Sequence, residues 1–425
     1  MRILIATDSF PPGCGGSGWS TYELARGLRA RGHDLVIVQP RAGSKANPDR
    51  EHDGFRVREF GATSPDVPFV RNYFKNERLW PRLAAWLAGI ARDERVDLVH
   101  AQHVLTCPAA VAAANEVGVP VVCTVRDYWP VCYWADLIHD YRADHLCPGC
   151  SRAMMSRCIR PRAGAAWPLA LPFIPYMTAN LGRKQRSLAR SSAIIAVSST
   201  IAADLRERAP ELAHTRIDTI PNPVEITAIR AAARARPAPQ PGPYAVYVGK
   251  LAPNKGVSKL LDAAERADLR WPLVIVGDGP QRESLEAAAR TLGREVRFTG
   301  WLPRDEALGW LAHAALLVFP SHGPESLSRV LLEASAIGVP IAAMDTGGTR
   351  DIVTDGVTGL LSNTTGALAA SIARLVADPQ EAARLARAAR ARAEDAFDAP
   401  RVVERIESLY RELITARPRP PGGRP

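Results

Sequence analysis

Short apolar runs recur through the first half of the chain and alternate with segments of helical periodicity. Residues 55–60, FRVREF, alternate apolar and charged positions, a pattern typical of a half-exposed strand. Trp19 to Arg31 has apolar residues at helical spacing and is closed by Gly32, so it predicts a helix. The apolar runs predict buried strands at residues 3–8, 34–40, 97–102, 119–125 and 193–198. Strands separated by helices pair in parallel, so the pattern predicts a doubly wound α/β domain.

A Pro-rich stretch at residues 222–243 interrupts this series, and its prolines exclude a strand interior. A second series of apolar runs follows at residues 244–250, 272–279, 296–301, 315–321 and 340–345. We therefore expect two doubly wound, Rossmann-like α/β domains that face a cleft, residues 1–222 and 223–397. Ligands of such sheets bind beyond the carboxyl ends of the strands.

The remainder of the chain reads as two Ala- and Arg-rich helices, residues 380–396 and 400–415, and a disordered Pro/Gly-rich tail, residues 418–425.

A length of 425 residues fits two domains, and a formal net charge of +10 favours an anionic partner such as nucleic acid, phospholipid or a phosphorylated substrate. Residues 1–8 turn polar too early for a secretory signal, and no run of about 18 apolar residues lacks a breaker. We expect a cytoplasmic protein with reduced cysteines.

The strongest candidate site lies in SHGPESLSRVLLEASAIGVP, residues 321–340. A helix is predicted to begin near Ser326, because serine is a good N-cap residue. The backbone N–H groups at such a helix start bind phosphate, and here they belong to Leu327, Ser328 and Arg329. The alternative is an ordinary amphipathic helix.

Glu325 and Glu333 flank that helix start, about 12 Å apart if the rise is 1.5 Å per residue. Two carboxylates at that separation cannot act as an acid/base pair on one atom. They can bind two ends of one extended polar ligand, such as the sugar and the ribose of a nucleotide sugar. The alternative is that Glu333 is merely solvated.

Two lysines lie in VGKLAPNKG, residues 248–256. Lys250 ends a predicted strand and Lys255 opens the next helix, with Gly249 and Gly256 beside them. Two ammonium groups at one strand–loop–helix corner can clamp a diphosphate. A solvated lysine pair is the alternative, and the position of both lysines at the edge of the predicted cleft counts against it.

Gly13, Gly15 and Gly18 match the dinucleotide fingerprint G-x-G-x-x-G, which raises a nicotinamide oxidoreductase as a rival class. The double proline at 11–12 lengthens a turn in which the fingerprint needs glycine directly after the strand. The second strand also ends without an acidic residue for a ribose 2′-OH. A flexible Gly15-Gly16 loop that touches a phosphate or an acceptor fits better.

Several motifs, taken in order, resemble those of the retaining glycosyltransferases of family four, over nearly the whole chain. They are PPGCGG, ARGLRARGHDLVIVQP, IPNPV (220–224), VGKLAPNKG, VGDGP (276–280), PESLSRVLLEA and MDTGGTRDIVTDGVTGLL (344–361). The resemblance implies the GT-B fold, with a final helix, residues 398–417, that crosses back onto the N-terminal domain. It also implies transfer of a hexosyl group from a nucleotide-diphosphate sugar to a glycan or lipid-linked acceptor with retention of configuration, in cell-envelope or polysaccharide biosynthesis.

The resemblance also implies roles for individual residues. Lys250 and Lys255 would contact the donor pyrophosphate, Glu325 would bind the donor sugar, and Glu333 would bind the ribose, while Gly15 and Gly16 would lie against the donor phosphate or the acceptor. No metal is expected, because the helix dipole and the lysines would stabilise the departing diphosphate. The resemblance implies front-face substitution, in which no side chain of the protein acts as the nucleophile, so none is assigned.

The chain departs from the family after the strand predicted at 119–125. Many relatives have a histidine there, whereas this chain has Arg126. Arginine cannot act as a base but can hold a sugar hydroxyl or a phosphate, so Arg126 joins Glu325 and the two lysines as a catalytic candidate. His100 and His103 end the preceding strand and could share the role, although a lone histidine is more often structural.

Four cysteines fall close together: Cys132, Cys147, Cys150 and Cys158. Four thiols can bind zinc tetrahedrally, but these spacings do not match a standard zinc finger. The alternative is four thiols in a reducing cytosol.

Residues 163–181 contain no charge and precede Arg183, Lys184 and Arg186. Prolines exclude a spanning helix, so the segment would either lie in the headgroups of an anionic membrane, as a peripheral contact, or pack on the N-terminal sheet.

Two further functions stay open at this point. A nucleotide-sugar epimerase on the same fold would need an acid/base pair near the sugar, and the sequence shows none. A non-catalytic nucleotide- or nucleic-acid-binding protein would need aromatics interleaved with basic residues, and aromatics make up only 6 % of the chain. The donor base, the donor sugar and the acceptor are left undetermined.

Overall fold

A computed structural model describes residues 1–42, 49–67, 70–140 and 146–416. The chain divides into two compact units. The first unit comprises Met1–Ala135, Pro148–Pro223 and the chain from Ala399 onward, and the second comprises Asp136–Cys147 and Val224–Asp398. The tail expected at 418–425 lies outside the described residues.

The first unit is built on a sheet with eight strands within the described residues. The strands are β1 (Arg2–Ala6), β2 (Asp34–Ala42), β3 (Arg50–His52), β4 (Phe55–Ala62), β5 (Leu98–Ala101), β6 (Val121–Val125), β7 (Ala193–Ala196) and β8 (Ile217–Thr219). Their order is β3-β4-β2-β1-β5-β6-β7-β8, and only the β3–β4 pair is antiparallel. Parallel pairing buries the central strands on both faces, which is why they read as continuous apolar runs.

Helices connect these strands. They are α1 (Gly16–Ala30), α2 (Val70–Lys75), α3 (Leu79–Asp93), α4 (Cys107–Val117), α5 (Arg152–Ala163), α6 (Trp167–Ala170), α7 (Ile174–Leu188) and α8 (Ser199–Arg208). Local sequence sets several ends: the Ser198 hydroxyl accepts the Ile201 N–H at the start of α8, and Gly118 ends α4 with φ 75°.

The second unit repeats the pattern with six strands among its described residues. Its helices and strands are α9 (Ile226–Arg234), β9 (Ala245–Val248), α10 (Val257–Arg266), β10 (Leu273–Val276), α11 (Arg282–Arg290), β11 (Val296–Gly300), α12 (Arg304–Ala312), β12 (Leu316–Phe319), α13 (Arg329–Ile337), β13 (Ile341–Met344), α14 (Thr349–Ile352), β14 (Leu360–Ser362), α15 (Thr365–Ala377) and α16 (Pro379–Ala396). The sheet order is β11-β10-β9-β12-β13-β14, all parallel. Its core includes Tyr247, Leu260, Ile275, Val318 and Leu385.

A final helix, α17 (Ala399–Thr415), belongs to the first unit. Val402, Val403 and Tyr410 pack in one buried cluster with Ile5 of β1 and Leu28 of α1. Burying each such side chain contributes about 1.5–3 kcal/mol. The last helix is therefore part of the first unit's core.

The expected fold class, two Rossmann-like α/β units with parallel sheets, is confirmed. Sequence patterns missed three strands: β3, β8 and β14. Each has three residues and lies at an edge of its sheet, where at least one residue is only partly buried. Short edge strands lack the apolar run that marks a central strand.

Candidate functional site

Lys255 and Glu325 form an ion pair at the carboxyl edge of the second unit's sheet. Lys255 ends a 3-10 turn after β9, and Glu325 lies in the loop after β12, the neighbouring strand. The Lys255 Nζ lies 2.5 Å from Glu325 Oε1, and the Ser321 hydroxyl donates to the same oxygen at 2.6 Å. A carboxylate oxygen that receives two donors is held in one orientation.

Two glycines, Gly256 and Gly347, allow the neighbouring loops to lie close to the loop after β12. Gly256 has φ 68°, and a Cβ there would lie 2.1 Å from the carbonyl oxygen of Pro320. Gly347 has φ 51°, and a Cβ there would lie 2.1 Å from the carbonyl oxygen of Glu325. Both positions combine a left-handed backbone with a contact that excludes any side chain.

The loop that contains Asn254 is also tied to the loop after β12 by the backbone. The Asn254 carbonyl accepts the N–H groups of His322 at 3.2 Å and Gly323 at 3.0 Å, and the Ser321 hydroxyl at 3.2 Å. The position of Lys255 is thereby fixed relative to Glu325 before any ligand arrives.

The helix expected near Ser326 begins three residues later, at Arg329. Ser328 is the N-cap residue by backbone position, with φ −70° and ψ 120°, and its side chain makes no capping bond. Ser326 and Leu327 belong to the preceding loop, in which the Glu325 carbonyl accepts the Gly348 N–H at 2.7 Å. The N–H groups at the helix start are therefore those of Arg329 onward.

Glu333 is held between two guanidinium groups. Arg304 Nη2 and Arg329 Nε each lie 3.1 Å from Glu333 Oε1, and the Glu333 side chain is only 12 % exposed. This corrects the picture of a solvated carboxylate. The Arg329–Glu333 pair was visible as an i, i+4 spacing, whereas Arg304 comes from α12 and left no sequence signal.

The two lysines differ in their surroundings. Lys250 is exposed, and its side chain has no ion pair among the described residues, while its carbonyl accepts the Tyr247 hydroxyl at 2.9 Å. Lys255 is partly buried and paired with Glu325. Next to Lys250, a Cβ on Gly249 would lie 2.8 Å from the Tyr247 hydroxyl oxygen, so this turn also requires a small residue.

Gly15 and Gly16 lie at the start of α1 in the first unit. Gly15 is the N-cap residue, and a Cβ there would meet no atom within 4 Å. Space beside an N-terminal helix turn is compatible with a ligand that approaches the backbone closely. Gly18, by contrast, packs tightly on Cys14.

Arg126 lies at the carboxyl end of β6, where its guanidinium is already engaged. It bonds the carbonyl and the side-chain oxygen of Gln102, and its Nε donates to Asn222 Oδ1 at 2.8 Å. These bonds join the ends of β5 and β6 to the segment after β8. A ligand would therefore meet an arginine whose position is fixed by the first unit itself.

His103 is buried beside the same strand ends. Its Nδ1 lies 2.9 Å from the Thr7 hydroxyl and 3.3 Å from the Asp8 N–H, and its Nε2 is buried without a hydrogen-bond partner among the described residues. Burial, and then the Arg126 charge, hold the pKa of His103 well below its usual value. His103 is therefore neutral at physiological pH.

His100 has a structural role. Its Nε2 lies 2.7 Å from the Thr124 hydroxyl, and its Nδ1 contacts the hydroxyl of Tyr410 on α17. It is fully buried, and burial lowers its pKa. This histidine ties the last helix to the sheet.

Two partly buried aspartates, Asp8 and Asp127, were missed by the sequence analysis. Burial is the main cause that raises the pKa of Asp8 to about 7, with Asp127 adding repulsion, and burial likewise raises the pKa of Asp127 to about 6. Asp8 Oδ2 accepts the Leu105 N–H at 3.1 Å, and its Oδ1 is buried without a hydrogen-bond partner in the described chain. Their positions in the sequence could have identified them, because Asp8 follows strand β1 and Asp127 follows strand β6.

The four clustered cysteines do not form a metal site. Within the described residues, which include all four, no group of three or more His, Cys, Asp or Glu side chains could hold a metal ion. Cys158 is buried in α5, and its thiol donates to the Met155 carbonyl at 3.3 Å. It packs in an apolar cluster with Met155 and Met177, which gives it a core position. The zinc hypothesis is not supported.

The basic residues after 163–181 are used within the first unit. Lys184 is 2 % exposed, with its Nζ 4.8 Å from the ring centre of Trp129, and burial lowers its pKa to about 8. Arg183 pairs with Glu77 at 2.8 Å and Arg186 with Glu211 at 3.3 Å. Their expected role as membrane anchors was wrong for Lys184, because a buried ammonium group cannot reach a headgroup.

Two apolar side chains of residues 163–181 are exposed, whereas Ala170 and Met177 of this segment are buried. Leu169 is 78 % and Phe173 is 38 % exposed. Across the described part of the chain, no helix combines the length and the apolar character needed to cross a bilayer.

Comparison with known proteins assigns both halves of the chain to families. Residues 14–228 match the family model described as Glycosyltransferase Family 4, and residues 229–392 match the model described as Glycosyl transferases group 1. A glycogen synthase of Mycobacterium tuberculosis is 30 % identical, with 96 % of this chain and 94 % of that protein covered. A GDP-mannose-dependent alpha-mannosyltransferase of Mycolicibacterium smegmatis is also 30 % identical, with 89 % of each chain covered.

Solved structures show the same fold at lower identity. The sucrose-phosphate synthase of Thermosynechococcus elongatus superposes with a TM-score of 0.72 at 20 % identity, over 98 % of this chain and 99 % of that one. Anabaena HepE in complex with UDP superposes with a TM-score of 0.64 at 20 % identity, over 97 % of this chain and 100 % of that one.

Proposed function

The chain belongs to the family 4 glycosyltransferases, and we propose that it transfers a hexosyl group from a nucleotide-diphosphate sugar to a glycan or lipid-linked acceptor, with retention of anomeric configuration. The observation that carries the proposal is the corner formed by Lys255, Glu325 and the start of α13. It combines a cation, a carboxylate and backbone N–H groups at the carboxyl edge of a parallel sheet, where such folds bind nucleotides.

In this proposal the diphosphate lies at that corner. An ammonium group has three donors, and Glu325 takes one of those of Lys255, which leaves two for phosphate oxygens. Lys250, exposed on the turn after β9, supplies the second positive charge. The N–H groups at the start of α13 add the positive end of a helix dipole. Charge that develops on the departing diphosphate is stabilised by groups already in place.

The carboxylates bind the two ends of the donor. Glu325 would accept sugar hydroxyls, and its Oε1 is fixed by Lys255 and Ser321. Glu333 would bind the ribose, with its carboxylate held by Arg304 and Arg329. Because both side chains are held by neighbours, they lose little further conformational freedom when the donor binds.

The acceptor and the reaction face involve the first unit. Gly15 and Gly16 would lie against the donor phosphate or the acceptor, and Arg126 and His103 would contact the sugar from the end of β5 and β6. The acceptor oxygen attacks from the face on which the diphosphate leaves, so no protein nucleophile is assigned. The proposal includes no metal, since the lysines and the helix start counter the diphosphate charge.

The test begins with titration calorimetry of the intact protein against UDP, GDP and ADP. At least one should bind, and Lys255→Ala and Glu333→Ala should each weaken that binding about tenfold, the loss of one charge-assisted contact. Arg270→Ala, which removes an exposed cation of the same unit, is the matched control. Unchanged affinity in both site variants would refute the assignment.

A second measurement addresses the stereochemistry. Proton NMR of freshly released sugar, during slow donor hydrolysis, should show the donor's anomer first. Early appearance of the opposite anomer would contradict retention while leaving the donor site intact.

A further inference from the structure

A cavity of about 540 Å³ lies in the second unit, at the end of the sheet where the strands begin, whereas Lys255 and Glu325 lie at the end where the strands finish. Its lining includes Ala315 and Pro340, which directly precede β12 and β13. It is therefore at the amino ends of strands whose carboxyl ends form the donor corner. The proposed transfer reaction does not use it.

Most of the residues that line this cavity are apolar. Ile337 and Gly338, at the C-terminal end of α13, form one wall, and Trp271 contributes a large ring. Residues of α16 such as Ala383 form the facing wall. Its volume falls in the range of sites that enclose small organic ligands, about 300–1,000 Å³.

Two arginines of α16 give the cavity a positive lining. Arg387 has no ion pair or hydrogen bond among the described residues. Arg390 lies 3.6 Å from Glu394, whose shorter contact, 2.6 Å, is with Arg230. Arg390 also lines the cavity, and its Cδ would lie 3.7 Å from a Cβ built on Gly338.

Nearby acidic groups are engaged elsewhere. Asp378 accepts the N–H groups of Gln380 and Glu381 at the start of α16, and Glu381 pairs with Arg374 and Arg384. The N-terminal end of α16 is thereby capped, so the positive charge available to a ligand comes from the two arginines and not from the helix end.

We propose that this cavity is a second ligand site, for a small organic anion with an apolar body and one carboxylate, sulfonate or phosphate group. The apolar body would fill the space between Ile337, Trp271 and Ala383. The anionic group would pair with Arg387 and Arg390, whose planar guanidinium groups suit such oxygens.

Helix α13 connects this cavity to the donor corner. Its nine residues span about 14 Å, with Arg329 at one end, Glu333 at the middle and Ile337 at the other end. A ligand that shifts α13 through Ile337 and Gly338 would also shift Glu333, and this coupling rests on the proposed donor site. We expect ligand binding to change nucleotide affinity by about five-fold or more, the usual range of coupling between two sites.

The binding test uses the full chain with 2-naphthoate as the probe and neutral 2-naphthamide as its isostere. Calorimetry should show naphthoate binding about tenfold more tightly than the amide. Arg387→Gln should remove most of that preference, and Ala383→Trp should abolish binding of both probes by filling the cavity. Arg384→Gln, an exposed arginine of the same helix that does not line the cavity, should change neither.

Absence of naphthoate binding, or equal binding to Ala383→Trp with an unchanged melting temperature, would overturn the site. The coupling is tested by repeating the nucleotide titration with saturating naphthoate, and an identical nucleotide Kd would overturn it. The probe titration needs no nucleotide, so its outcome is independent of the proposed transferase function.

Discussion

The Lys255 ammonium lies 2.5 Å from the Glu325 carboxylate, although the two residues are 70 positions apart in sequence. The contact joins the loops after β9 and β12, which are adjacent parallel strands. A cation and a carboxylate so paired partly neutralise each other, so the corner can accept an anionic diphosphate and a neutral sugar side by side. Glu325 therefore influences both parts of the proposed donor.

Replacing Glu325 with Gln separates these two roles. The change removes the negative charge beside Lys255, so affinity for the nucleoside diphosphate should stay equal or rise two- to five-fold, since Lys255 is less neutralised. The rate of sugar transfer should fall by at least about 100-fold if the carboxylate orients the sugar. Calorimetry and a transfer assay measure the two effects.

Glu283→Gln is the matched control for this experiment, because Glu283 is an exposed carboxylate of the same unit. The assigned role would be contradicted if Glu325→Gln lowered the affinity for the nucleotide and lowered the transfer rate by no more than the same factor.

Gly347→Ala should disrupt the corner sterically. Its Cβ would lie 2.1 Å from the Glu325 carbonyl oxygen, in addition to the strain of a left-handed backbone. Gly356 also has a positive φ, but a Cβ there would meet no atom within 4 Å. Gly356→Ala should therefore cost only the free energy of placing alanine in a left-handed backbone conformation, about 1–2 kcal/mol. We expect Gly347→Ala to lose clearly more stability than Gly356→Ala in urea unfolding, together with nucleotide binding. Equal losses of stability in the two variants would show that the loop at position 347 can shift to accommodate a side chain.

Asp8 should make the folded state less stable as pH rises. Its pKa is raised to about 7 by burial, against an ordinary value of 3.8, so between these values the folded state binds a proton that the unfolded state has released. Stability contributed by the neutral carboxyl is therefore lost progressively from about pH 4 to pH 7, at up to about 1.4 kcal/mol per pH unit.

The measurement is urea unfolding of Asp8→Asn and the wild type at pH 5 and pH 8. Asparagine keeps an oxygen for the Leu105 N–H but cannot ionise, so the variant should gain stability relative to the wild type at the higher pH. Asp66→Asn, at a 95 % exposed side chain, serves as control. A stability difference between Asp8→Asn and wild type that is the same at both pH values would show that Asp8 does not titrate in this window.

We propose that the exposed Leu169 and Phe173 contact the surface of an anionic bilayer. We expect the protein to float with vesicles that contain anionic lipid, and Leu169→Asp with Phe173→Asp to reduce the floating fraction several-fold, since charges oppose insertion into the headgroup region. Trp301→Asp, which alters a 74 % exposed aromatic of the second unit, is the control. Equal flotation of the double variant and the wild type would exclude this surface.

The amino-acid sequence by itself determined the central strands, because residues buried on both faces of a parallel sheet must be apolar in an unbroken run. It also placed Lys255 and Glu325 between a strand and the body of the helix that follows it, since polar residues that follow a buried run belong to the same edge of a parallel sheet.

Only the tertiary structure decided how those groups are charged and paired. Arg304 reaches Glu333 from another helix, Lys184 is enclosed beside Trp129, and Asp8 is desolvated by burial while it accepts a hydrogen bond from the distant Leu105 N–H. Sequence periodicity reports which face of a local element is apolar. Ion pairing and desolvation depend on neighbours that are distant along the chain, and packing alone brings those neighbours together.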